Sequence, residues 1–175
     1  TATLTKVYDG TTLASVSGTP TLAAAEAVGT GNAGDGKSYV GDSVLIVGSA
    51  AGTYNSANVA TANTVTFSGL SLTGGQASNY SLSMQAPTAG AITPAPLFVI
   101  NLSVASKTYD GTTAAIANTS SLMLLGVVSV DANNGAKLAL DTNAVSAAFA
   151  TANVAYNGTA VTSQAVSLTG LIVTG

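Results

Sequence analysis

The sequence predicts an all-β protein of tandem immunoglobulin-like β-sandwich modules, the second one truncated. Three observations lead there. The chain repeats itself at a spacing of 101 residues. Apolar residues alternate with polar ones at period 2 over short stretches, the mark of half-buried strands. Gly, Asn, Ser and Thr punctuate those stretches densely, as turns do.

The repeat fixes where every other element falls. Lys6-Val7-Tyr8-Asp9-Gly10-Thr11-Thr12 returns as Lys107-Thr108-Tyr109-Asp110-Gly111-Thr112-Thr113. Val65 to Gly74 returns as Val166 to Gly175 at the same spacing. Between them, Tyr54 to Ala60 matches Phe149 to Ala155 at a spacing of 95, so the second copy lacks six residues in its middle. The first module is placed at residues 1–96 and the second, incomplete at its C-terminus, at 97–175. Pro94 and Pro96 stiffen the junction. Residue 1 aligns with residue 102, so the chain reads as cut at both ends from a longer array.

The elements follow in order. Leu22 to Val28 is Ala-rich and predicts two helical turns. Val44 to Val47 is a short apolar run, read as a buried strand. Val65-Thr66-Phe67, Leu70-Ser71-Leu72 and Tyr80 to Met84 alternate and predict half-buried strands. Leu97 to Ile100 is a second buried run. Asn134-Gly135 and Asn157-Gly158 are hairpin turns, because both residue types tolerate positive φ. Tyr80 follows Leu72 across a Gly/Ser-rich corner, where a tyrosine corner sits in immunoglobulin-like sandwiches.

Composition narrows the function. Only 6% of residues are charged, against about 25% in ordinary domains. Without Cys or His there is no disulfide framework and no zinc or haem site of the usual kind. Four basic residues make a poor nucleic-acid surface. No run of 18 apolar residues is present, so no helical membrane span is predicted. No cofactor is expected.

Several motifs invite chemistry. Gly31 to Ser38 spells the phosphate-loop pattern G-x-x-x-x-G-K-S. Such a loop must open a helix, and Tyr39-Val40-Gly41-Asp42 is poor in helix formers. Gly29 to Gly34 fits G-x-G-x-x-G, but no acidic residue follows about twenty positions on. Asp35, Asp42, Asp131 and Asp141 are the loop acids from which one weak calcium site could be drawn, and the bidentate Glu of a calcium loop is missing. Sequons at Asn79, Asn101, Asn118 and Asn157 are expected by chance in so Ser/Thr-rich a chain.

Asp9 and Asp110 are the conspicuous carboxylates, and both sit in the repeated element. The reading is structural. In Tyr8-Asp9-Gly10-Thr11 and Tyr109-Asp110-Gly111-Thr112, the Asp accepts from backbone amides ahead of it. The Gly takes a positive φ, and the Thr hydroxyls cap the turn. Tyr8 and Tyr109 are expected to lay their rings on the core edge.

These motifs, followed by Ala57-Asn58-Val59, Asn79-Tyr80-Ser81-Leu82 and Ile92-Thr93-Pro94-Ala95, resemble the YDG-type repeat of large bacterial surface adhesins. Many of these are similar to filamentous-haemagglutinin-like exoproteins exported by two-partner secretion. The resemblance implies a secreted or surface-bound, non-enzymatic stalk module that extends or presents a binding region. Its implied partners are neighbouring modules of the array or other copies of itself. A cysteine-free chain suits threading through an outer-membrane pore. Two alternatives remain: a filament subunit joined by inter-subunit strand addition, and a module that binds host or matrix glycan or protein. The second would need an exposed aromatic platform, for which Tyr39, Tyr54 and Tyr156 are the candidates.

Overall fold

The computed structural model describes residues 4–29, 31–32, 34–133 and 138–175. The chain divides into two units, Thr1–Pro94 and Ala95–Gly175. Both are almost wholly β, as the alternating stretches predict. No helix among the described residues is long and apolar enough to cross a membrane.

The first unit holds β1 (Leu4–Val7), β2 (Leu13–Ala14), β3 (Leu45–Tyr54), β4 (Thr64–Thr73) and β5 (Thr88–Thr93). They form one five-stranded sheet in the order β1-β5-β4-β3-β2. β1 runs parallel to β5, with Leu4 opposite Gly90 and Val7 opposite Thr93. All other pairs are antiparallel. The separate runs around Phe67 and Leu72 merge into the single long strand β4.

The core lies on one face of this sheet and reaches across all five strands. Ala14, Tyr54, Ala62, Val65 and Ile92 are buried there, and Leu4, Tyr8 and Phe67 pack on them. β5 approaches closely because Gly90 has no side chain. A Cβ at that position would lie 2.7 Å from Val65 Cγ2 and 2.9 Å from Tyr54 Cε1.

The long β3–β4 hairpin is pinched in its middle by two glycines. The register slips between Gly48 and Ala51, leaving one extra residue on β3, a β-bulge. Gly48 and Gly69 both have positive φ, +98° and +90°. A Cβ on Gly48 would lie 2.1 Å from the carbonyl oxygen of Gly69, and one on Gly69 would lie 2.1 Å from that of Ser49.

The second unit holds β6 (Phe98–Ile100), β7 (Ser103–Val104), β8 (Ala114–Ala115), β9 (Ala117–Asn118), β10 (Met123–Leu125), a short helix α1 (Ser129–Asn133), β11 (Ala139–Asp141), β12 (Ser146–Phe149), β13 (Tyr156–Asn157), β14 (Ala160–Val161), β15 (Val166–Thr169) and β16 (Ile172–Thr174). β8, β12 and β15 reproduce β2, β3 and β4. Ala115 faces Ala147 as Ala14 faces Gly52, and the Phe149 amide donates to Thr113 O as the Tyr54 amide does to Thr12 O. β11 and β16 continue the hairpin beyond a break at residues 142–145, opposite Gly170.

The six residues missing from the second copy are made good further on. Ala155 aligns with Ala60 at a spacing of 95, and Thr162 aligns with Thr61 at 101. The six residues between them, Tyr156 to Val161, are the hairpin β13–β14, closed at its base by Thr162 N donating to Ala155 O at 2.9 Å. The hairpin expected at Asn157-Gly158 forms one residue further on: Asn157 pairs with Ala160 in the ladder, and Gly158 and Thr159 make the turn. Only Gly158 has positive φ, the type II′ arrangement. Asn134-Gly135 lies outside the described residues.

Other expectations need correcting. Leu22 to Val28 is not helical. Seven residues are too few to nucleate a helix alone, and Glu26 instead forms an isolated parallel bridge with Tyr39, its amide donating to Ser38 O. Val44 to Val47 is not a fully buried run: Val44 is buried and Ile46 half-buried, but Leu45 is 60% exposed, since the sheet is covered on one face only. Phe98 is likewise 59% exposed in the second run. Asp131, expected in a loop, sits in the helix α1.

Tyr80 to Met84 is not a strand. The residues alternate in burial, with Tyr80, Leu82 and Met84 half-buried and Ser81 and Ser83 exposed, but they join no ladder. Their period comes from facing the sheet. Leu82 and Met84 look toward Ile46, Phe67 and Leu70 across a cavity of about 490 Å³. A second sheet, which a sandwich requires, is not formed in the first unit among the described residues.

The chain exposes 11412 Å². The core of the second unit is sparse: Ala147 is its one buried hydrophobic residue among those described.

Candidate functional site

The repeated turn is built the same way twice. Lys6 reaches forward from β1, and its Nζ donates to Asp9 Oδ1 (2.6 Å), Thr11 O (2.8 Å) and Thr11 Oγ1 (2.9 Å). Asp9 Oδ1 also accepts from the amide and the hydroxyl of Thr11, both at 2.9 Å. In the second unit Lys107 donates to Asp110 Oδ1 (2.7 Å), Thr112 O (2.8 Å) and Thr112 Oγ1 (3.0 Å), and Thr112 returns the same two bonds to Asp110. Gly10 and Gly111 turn the chain at φ +77° and +76°.

Each lysine also lies over an aromatic ring. Lys6 Nζ is 5.6 Å from the centroid of Tyr54, and Lys107 Nζ is 5.8 Å from that of Phe149. Either ring serves, because the attraction is to the ring face. Residue type alone does not reveal the lysines' part in the turn, although both stand in the repeated heptapeptide. Their constant spacing of three residues from the Asp was the available signal.

The electrostatics suit fastening. The lysine, then the threonine amide and hydroxyl, hold the carboxyls of Asp9 and Asp110 down to about 2 from the ordinary 3.8. A carboxylate with so low a pKa is a weak base and exchanges no proton near neutral pH, so it is a poor general acid or base.

Tyr8 packs on the core edge as expected, but Tyr109 is 62% exposed. Tyr8 rests on a cluster that includes Ile92 of β5, and no described residue takes that place in the second unit. Tyr80 ties two loops together. Its hydroxyl accepts from the Tyr39 amide at 2.9 Å and donates to Asp42 Oδ2 at 2.5 Å. Both partners lie in the distant 39–42 loop, whereas a tyrosine corner bonds a few residues upstream of its own strand. The bond to Asp42 holds the Tyr80 hydroxyl above its ordinary pKa of 10.0.

The phosphate-loop look-alike is followed by the Glu26–Tyr39 bridge and no helix. Lys37 is committed to Asp35 at 2.6 Å and Glu26 at 4.0 Å. Thr30 and Ala33 of these glycine motifs lie outside the described residues. The acids expected in loops make bonds within the chain: Asp35 holds Lys37, Asp42 accepts from the distant Tyr80, and Asp141, which closes β11 and is not in a loop, accepts from the Asn143 amide at 2.9 Å. Of the three platform tyrosines, Tyr54 is buried, with its hydroxyl donating to Leu4 O at 3.1 Å. Tyr39 is half-buried and Tyr156 is exposed on the β13–β14 hairpin.

A family model described as the YDG domain matches residues 1–89 and again 93–172. No curated protein and no solved structure matches the chain.

Proposed function

The chain belongs to the YDG domain family, and from that premise we propose that it is a structural stalk module of a bacterial extracellular adhesin or matrix fibre. Its task is to extend or present a binding region, and its action is mechanical rather than enzymatic. The observation that carries this reading is the parallel pairing of β1 with β5. Tension applied at residue 4 and at residue 93 pulls these two neighbours in opposite directions along their common axis. The hydrogen bonds between them are then loaded together in shear instead of opening one after another. The repeated lysine-held turn supports the same reading, since each unit carries its own fastening and each copy of a repeat must be held by its own contacts and its neighbours'.

The immunoglobulin-like sandwich belongs to this proposal. Leu82 and Met84 face the sheet where a second layer would pack. Location on the bacterial surface, export through a pore and association with neighbouring modules are parts of the same reading. A filament subunit assembled by strand addition is the second reading, favoured by β1 lying at the edge of its sheet, paired on one side with β5.

The test is a pulling experiment. The sequence has no cysteine, so engineered cysteines give unique handles. Handles at Thr1 and Ala95 load β1 and β5 in shear, whereas handles at Thr1 and Ala86 peel them apart. At one loading rate the first geometry is expected to require the higher force. Equal forces would remove the mechanical reading.

A further inference from the structure

Asn157 stands alone among the described asparagines in being followed by glycine. It closes β13 and pairs with Ala160, so Gly158 opens the turn. In a two-residue turn of this kind the amide of the first turn residue takes no part in the ladder. Among the described residues neither the Gly158 amide nor the Asn157 side chain has a hydrogen-bond partner. Asn157, Gly158 and Thr159 are all exposed, and nothing lies within 4 Å of where a Cβ on Gly158 would stand. Other asparagines are held. Asn55 Nδ2 donates to Thr61 O and Asn63 Oδ1, and its Oδ1 accepts from the amides of Asn63 and Thr64. Asn118 Oδ1 accepts from the amide and the hydroxyl of Ser120. The hairpin around Asn157 is lightly built by comparison. Its ladder has two residue pairs and no third strand. A two-stranded ribbon is marginal in water and opens readily.

We propose that Asn157 is a site of self-modification, at which the side-chain amide is lost without an enzyme and a carboxylate takes its place. Water is the one co-reactant. Hydroxide takes the proton of the Gly158 amide, and that nitrogen attacks Asn157 Cγ. The new C–N bond closes a five-membered imide ring. The Cγ–Nδ2 bond breaks, and Nδ2 leaves as ammonia with a proton from water, which restores the hydroxide. Water then opens the ring at either carbonyl carbon, and nothing is oxidised or reduced. Opening at Cγ leaves an aspartyl residue. Opening at the main-chain carbon leaves an isoaspartyl residue, whose backbone runs through Cβ and Cγ. The glycine admits this chemistry because no Cβ crowds the attacking nitrogen. An extended residue holds its side chain out of line with the next nitrogen, so the ring closes while the hairpin is open. Either product adds a negative charge to a chain with seven acidic residues, beside the exposed Tyr156 and Val161. The isoaspartyl product also adds a carbon to the main chain, so the pairing with Ala160 is lost and with it the register of the hairpin. The sheet of β8, β12 and β15 does not include these residues and is unaffected. The hairpin therefore carries a chemical record of the molecule's age. This inference stands apart from the mechanical reading.

The experiment holds the whole chain at mildly alkaline pH and maps its peptides by mass at intervals, beside a sample unfolded in guanidinium chloride. Expected is conversion of amide to carboxylate at residue 157 in the folded chain, within about tenfold of the unfolded rate, because such a ribbon opens at little cost. Asn55 stays unchanged while the chain is folded. Gly158→Ala is expected to slow the conversion at least about tenfold in both samples, through the Cβ beside the attacking nitrogen. The two products are then separated by chromatography and compared by NMR. The α-protons of Tyr156 and Val161, which pair across the ladder, stay in contact in the aspartyl form and part in the isoaspartyl form. The proposal is overturned if Asn157 stays intact in the folded chain while the unfolded chain converts. It is overturned equally if Gly158→Ala reacts as fast, or if the isoaspartyl form keeps the Tyr156–Val161 contact.

Discussion

Lys6 Nζ stands 5.6 Å from the centroid of the Tyr54 ring while donating to Asp9 at 2.6 Å, so one cation joins an exposed turn to the buried end of the sheet. The same relation recurs between Lys107 and Phe149. The turn is therefore anchored to the core edge through the lysine stem and head together.

Acid should reveal this anchor. Asp9 and Asp110 have pKa values depressed to about 2 in the folded chain, against 3.8 ordinarily. Their contribution is present above pH 3.8 and is lost as pH falls through about 2. Urea unfolding followed between those values should show the loss. The Lys6→Met, Lys107→Met double variant should be less stable at neutral pH and should show a flatter acid dependence.

The pinch in the hairpin should tolerate no side chain. Gly69→Ala would place a Cβ 2.1 Å from a backbone oxygen at positive φ, and should cost about 2 kcal/mol or more. Gly170→Ala meets Ala144 O at 2.0 Å in the second unit and should behave alike. Denaturant midpoints read by circular dichroism would check both.

Core and surface positions of the two units should separate cleanly. Ile92→Ala empties a site that is 3% exposed, and should destabilise the first unit by about 2–4 kcal/mol. Tyr109→Ala removes an exposed ring and should stay within about 0.5 kcal/mol. Thermal unfolding of each variant decides it.

Tyr80→Phe should free the 39–42 loop. The Tyr39 amide loses its acceptor and Asp42 its donor, so Tyr39 should exchange its amide proton at least about tenfold faster. Because the fold raises the Tyr80 pKa, its contribution is full below pH 10.0 and fades as pH climbs through the raised value. An alkaline titration of tyrosine absorbance would show one late-ionising group, absent from the variant.

Much of this was legible in the sequence because it is local. Tyr8 to Thr12 encodes its turn by residue type, and Val65 to Leu72 encodes its strand by alternation. What was hidden depends on distant partners. Tyr80 to Met84 alternates like a strand, and only the sheet beneath it shows that it faces a neighbour without joining a ladder. Tyr54 carries no sign of burial until β5 closes over it. The helix propensity of Leu22 to Val28 yields to a bridge thirteen residues away, at Tyr39. The lysine's role was missed because its three acceptors converge only once the turn has formed.

The inserted hairpin Tyr156 to Val161 carries one more lesson. It enters where the first unit has a plain turn, and the strands on either side keep their partners across it. Tyr156 and Val161 face each other at its base, 62% and 69% exposed. The module thus has a port, at which its outward text can be rewritten while its grammar stays fixed. Two copies of one frame need not say the same thing to whatever they meet.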